Sequence, residues 1–269
     1  MVLFFLLLLS MTNSLMSDFK KFEYNEVSHI SNEDIEKHFD YPQDSNWIDQ
    51  NICNTYGAQK ISAQNFPESY KFLVELVKKY PKEFENVIFL KVCGTNLFAG
   101  YTVIGIPYQW LLELESQISV AQQWAEWALL NALGHIHYKH ITVLAYLGII
   151  KDFFYVCFGQ TFLITTASSV LSDQTIKKSW GPMVERKHIA YATLSFLSAA
   201  LAIETIMILY SRYVSVPQAD DFAVKKCDNE QALRAGIDFI DNVSVEDLAV
   251  PSKEDRILKI QSAITSKFE

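Results

Sequence analysis

Two long apolar runs limit what this chain can become. The first spans Ile141 to Leu171 and is interrupted only by Lys151-Asp152, so Phe153 to Leu171 is a stretch of 19 residues without a charge. The second runs from Ile189 to Tyr210, with Glu204 as its only charge. Each approaches the ~20 residues that a helix needs to cross a hydrocarbon core. A buried helical hairpin in a soluble domain has the same composition, but apolar runs of this length are rare there. The expectation is a two-helix transmembrane hairpin over residues 141–211, joined by the loop Ser172 to His188. A carboxylate within a span asks for a partner. Lys151 is the candidate for Glu204, because both sit nearer the same end of their runs. A third apolar stretch, Val2 to Leu9, is too short to span and resembles the apolar part of a signal peptide, which makes residues 1–16 a signal-like or anchor segment.

Outside these runs the chain is polar and acidic. Its formal charge of −8 and pI near 5.3 repel phosphate, and no basic stripe interleaves with aromatics, so nucleic acid is not an expected partner. The four cysteines form no C-x-x-C pair, which argues against a zinc ribbon or a thioredoxin-type motif. Before the hairpin, Pro67 to Tyr80 carries apolar residues on one helical face, with proline at its start. Glu85 to Val92 and Tyr101 to Pro107 are rich in β-formers and predict an antiparallel strand pair. The proline ending the second suits an edge strand. Val120 to His140 has tryptophans and alanines at helical spacing. After the hairpin, residues 219–240 and 253–264 predict amphipathic helices. Residues 17–140 and 212–269 therefore read as two parts of one α+β, mostly helical domain interrupted by the hairpin.

Within the tryptophan-rich helix lies Asn131-Ala-Leu-Gly-His135, continuing as Ile-His-Tyr-Lys-His140. A zincin places H-E-x-x-H on a helix: two histidines four apart share one face and one metal, and the glutamate activates the metal-bound water. Further on come Ala219-Asp220-Asp221-Phe222-Ala223 and Val250-Pro251, with Arg256-Ile257 five residues beyond. In order and spacing these segments resemble the HtpX-like and CaaX-prenyl-protease-like membrane zinc metallopeptidases. Those have an H-E-x-x-H helix leading into two spans, then E-x-x-A-D-x-x-A, then H-P-x-x-x-x-R-I. The resemblance covers roughly residues 85–264 and implies a zincin-like peptidase domain with a small β-sheet.

It also implies which chemistry has gone. Asn131 stands at the first zinc ligand, Ala132 at the catalytic base, Val216 at the third ligand and Val250 at the late histidine. Only His135 remains as a ligand, with Asp220 as the residue that orients one. The frame residues Gly134, Ala219, Pro251 and Arg256 persist. Zinc is thus the family's cofactor but is not expected to bind tightly here, since an amide oxygen is a poor donor and valine is none. The family lays its substrate along an edge strand, and Tyr101, Thr102, Val103, Ile104, Gly105 and Ile106 are the candidates for that strand. His137 and His140, three apart, offer an alternative pair of metal ligands. Two functions follow. One is a catalytically impaired pseudopeptidase that binds a peptide or membrane-protein partner in the inherited cleft. The other is an active or re-ligated zinc metalloendopeptidase acting on membrane or misfolded proteins. The basic loop between the spans favours a cytoplasmic tip, whereas the resemblance implies a cytoplasmic cleft.

Overall fold

The computed structural model describes residues 32–40, 47–116, 119–170, 175, 176, 178, 185–243 and 249–268. The apolar segment Val2 to Leu9, and with it the signal-like reading of residues 1–16, lies outside them. The described chain is mostly helical. Two short helices, α1 (Asn32–Lys37) and α2 (Trp47–Thr55), precede strand β1 (Gln59–Lys60). Helix α3 (Pro67–Lys79) starts on the expected proline, where its missing N–H costs no hydrogen bond, and buries Leu73, Leu76 and Val77. Then come β2 (Ile88–Val92), β3 (Phe98–Ala99), β4 (Val103–Pro107) and α4 (Tyr108–Glu115).

The sheet is mixed, in the order β1-β2-β4-β3. This corrects the expected antiparallel pair. β2 and β4 run parallel, in register from Ile88–Val103 to Val92–Pro107, and β3 turns back to pair antiparallel with β4. It also corrects the candidate edge strand. Ile104 and Gly105 are paired on both sides and Val103 to Ile106 are all buried, so this is an interior strand of the sheet. Tyr101 and Thr102 are held just before the strand, where their backbone N–H groups donate to the buried carboxylate of Asp49 at 2.6 and 3.0 Å. Among the described residues the edge strands of the sheet are β1 and β3.

Helix α5 (Ser119–His137) is the hub of the domain. It packs on β3, β4 and α4, on α8 (Val216–Lys226) and on α9 (Glu230–Val243). Its Leu129, Leu130 and Leu133 join Leu73, Ile104 and Ile240 in one core with Ile260 of α10 (Lys253–Phe268). Full burial of each such side chain is worth about 1.5–3 kcal/mol against exposure. Gly236 of α9 lets Trp127 lie flat on the backbone, since a Cβ there would stand 2.6 Å from the indole. The carboxylate of Glu126 is covered on the same helix. It accepts from Lys79 Nζ at 2.6 Å and Tyr80 Oη at 2.7 Å, tying the end of α3 to α5.

The hairpin is formed by α6 (His140–Val170) and α7 (Arg186–Tyr210), which pack against each other along their length. Two helical stretches, His140–Ala167 and Arg186–Lys226, are long and apolar enough to cross a membrane, with mean hydropathy of 1.7 and 1.9. Only 6% and 17% of these windows is buried, whereas the core helix of a soluble domain would be mostly covered. The proposed Lys151–Glu204 pair does not form. Glu204 accepts from Tyr155 Oη across the hairpin at 3.0 Å, while Lys151 sits 3.9 Å from its neighbour Asp152. A π-helical turn, Ser211–Ser215, joins α7 to α8 just before Pro217. Proline has no N–H to continue the α-ladder there, and such wide turns absorb the loss.

Candidate functional site

Helices α5 and α8 cross so closely that a Cβ on Gly134 would stand 2.8 Å from the Cα of Ala219 and 3.0 Å from the Cβ of Phe222. Glycine and alanine at this crossing are what allow the contact. It brings the face of α5 that carries Asn131 and His135, four residues apart, against the start of α8.

Asp220, almost wholly buried, is the centre of the contact. Its Oδ1 accepts from Asn131 Nδ2 at 2.8 Å and from Arg256 Nη2 at 2.9 Å, and its Oδ2 accepts from Arg256 Nε at 2.8 Å. Asn131, Asp220 and Arg256 come from α5, α8 and α10, yet they close one bidentate charge-assisted network. His135 is not among the donors to Asp220. Its Nδ1 instead lies 3.1 Å from Nδ1 of His140, whose Nε2 lies 2.9 Å from Gln218 Oε1. The amide oxygen can only accept, so His140 carries its proton on Nε2 and accepts at Nδ1. His135 then donates from Nδ1, and its Nε2 keeps a lone pair with no protein partner among the described residues.

This arrangement rests on a break after α5. Tyr138 and Lys139 turn the chain, and Lys139 has φ of +53°, so His140 begins a new helix and folds back toward His135. His140 is fully buried. The alternative pair of His137 and His140 is therefore not assembled. His137 packs on Phe222 and Tyr138 instead. Burial, helped by the nearby positive charge of Arg256, pushes the His135 imidazole down to about 3, so it is neutral at pH 7. Burial and then Lys226 lower His137 as well.

Does this donor set suit a zinc ion? It presents one free imidazole nitrogen. Asn131 spends its amide N–H on Asp220, Val216 is aliphatic, and both oxygens of Asp220 are engaged by a guanidinium. A catalytic zinc requires three protein donors. Among the described residues no three His, Cys, Asp or Glu side chains converge. The described residues do not fit a catalytic zinc. Ala132, at the position of the base, is buried in the core and has no proton-transfer group. Val250 is half-buried just before α10.

The chain from His135 through His140 to Gln218 was not legible from local pattern, because it depends on a two-residue turn with neither glycine nor proline. Glu126 was detectable in principle, as a lone acid among tryptophans and alanines. None of the four cysteines is in a disulfide. Compared with known proteins, the chain matches no family model, no curated protein and no solved structure.

Proposed function

We propose that this chain is an integral membrane protein built on the frame of the HtpX-like zinc metallopeptidases, impaired in catalysis, that holds an extended peptide or membrane-protein segment in the inherited cleft. One observation carries the reading. Asn131, Gly134, Ala219, Asp220 and Arg256 were singled out by the resemblance alone, and these residues from three separate helices meet at one point. An accidental match of short motifs has no reason to produce contacts between segments up to 89 positions apart.

The chemistry argues for binding over cleavage. With Asp220 neutralised by Arg256 and His135 neutral, the cleft wall offers hydrogen-bonding groups without net charge. Among the described residues β3 ends the sheet beside α5, and its backbone groups are the candidates for pairing with an extended chain. β3 thus takes the role first assigned to residues 101–106.

The test is elemental analysis and peptidase assay of the purified chain. Substoichiometric zinc and no chelator-sensitive cleavage support the binding reading. Stoichiometric zinc, together with cleavage lost on chelation and in His135→Ala, would replace it with the re-ligated endopeptidase.

A further inference from the structure

The hairpin carries a layer of polar groups partway along its length, and this layer sets how deep a bilayer can reach. Lys151, Asp152, Tyr155 and Glu204 lie at one level of the two helices, fixed by the 3.0 Å bond from Tyr155 to Glu204. Asp152 is the telling member. Its side chain is 75% exposed, with Lys151 Nζ 3.9 Å away, so most of it faces whatever surrounds the hairpin. A carboxylate facing hydrocarbon is costly, and such groups in spans face protein or water.

Resting on the membrane reading above, we propose that the hydrocarbon core takes only the distal half of the hairpin. Its near boundary falls at Lys151, Asp152 and Glu204, and residues 140–150 and 205–215 form a stalk through the headgroup layer. The lengths agree. Phe153 to Val170 rises about 27 Å at 1.5 Å per residue, and Arg186 to Glu204 also about 27 Å, against a hydrocarbon core of about 30 Å. Placing the boundary instead at Lys139 and Arg212 would require α6 to cross with about 46 Å of helix and would sink three ionisable side chains near mid-bilayer.

The stalk has a consequence for the partner. From Lys151 to His140 is about 16 Å along the helix, so the cleft stands clear of the hydrocarbon. A membrane-anchored partner reaches it with a juxtamembrane stretch of roughly five or more extended residues at ~3.3 Å each. A segment lying inside the bilayer does not.

Single cysteines placed at Ile149, Leu209, Phe162 and Leu194 in the full chain decide the register. The reconstituted vesicles are freeze–thawed so that a polar maleimide is present on both sides, and modification is read by peptide mass spectrometry. Exposed Cys93 serves as the fast reference and Cys157 of the span as the slow one. Residues 149 and 209 should react within about tenfold of Cys93, and residues 162 and 194 about 100-fold more slowly, because the thiolate forms only where water reaches it. If all four positions are protected, the boundary lies at Lys139 and Arg212 and the inference is overturned while the membrane reading stands. Fast reaction at all four, with Cys157 also fast, overturns the membrane reading and this register together.

Discussion

Asp220 is paired twice in a buried position, so its two donors should not be equally important. Arg256 neutralises its charge through two hydrogen bonds, whereas Asn131 adds one neutral bond. Arg256→Met leaves a buried carboxylate without its counter-charge and should cost roughly 3–5 kcal/mol of stability. Asn131→Ala should cost about 1–3 kcal/mol. Denaturant unfolding of the two variants checks the order, and the reverse order would show that Asp220 is not held as described. A pH effect belongs to the same scale. His135 has a folded-state value near 3 against 6.5 unfolded, so the unfolded chain binds the proton first. Its contribution is complete above about pH 6.5 and is lost as pH falls from there toward 3. Between those two values the slope should approach the ~1.4 kcal/mol per pH unit of a one-proton difference. Melting temperature followed from pH 8 to 4 should therefore fall on acidification, and His135→Gln should flatten the curve.

Close approach governs the element scale. Gly134→Ala places a methyl 2.8 Å from the backbone of α8, where neither helix has a flexible side chain to move. It should destabilise by about 1–3 kcal/mol, measured as a shift in the unfolding midpoint in detergent. Alanine at Gly148, where a Cβ would meet nothing within 4 Å, should not destabilise and serves as the control. The elements were unevenly legible in the sequence. Helices α3 and α4, the hub α5 and the two apolar helices follow from apolar spacing and length. The parallel arrangement of β2 and β4 does not, because a two-residue strand such as β3 has no propensity signal of its own, and its presence is what moves β4 from the edge to the interior. The expected helix over 219–240 is broken at Cys227–Asn229 without a proline or glycine. What marks the break is Asn229, whose side chain accepts from the backbone N–H of Gln231 and caps α9 at its start.

For the whole molecule, residues of the three short segments that carry the resemblance lie together in space, although Arg256 as the partner of Asp220 was not legible in them. Gly134 and Ala219 are small where two helices touch, and Asp220 and Arg256 are a buried pair. The link through His140 and Gln218 was not readable, since it depends on the path of the chain between α5 and α6. Membrane insertion is the other property of this scale. The two apolar helices, mostly uncovered by the rest of the protein, should keep the chain in the membrane pellet after carbonate washing, and its release into the supernatant would count against insertion.

The central claim is that the frame of a zinc peptidase survives around lost ligands. Zinc content after ligand restoration tests it most directly. Asn131→His and Val216→Glu together return the two donors missing beside His135, whose Nε2 is unengaged and whose ring is oriented from behind by His140. Purified alongside the parent, the double variant should hold about one zinc per chain by elemental analysis, where three protein donors suffice, and the parent far less. Should the restored variant fold, by its unfolding midpoint, yet hold no more zinc than the parent, Val216 does not face His135 and the inherited-frame account is contradicted.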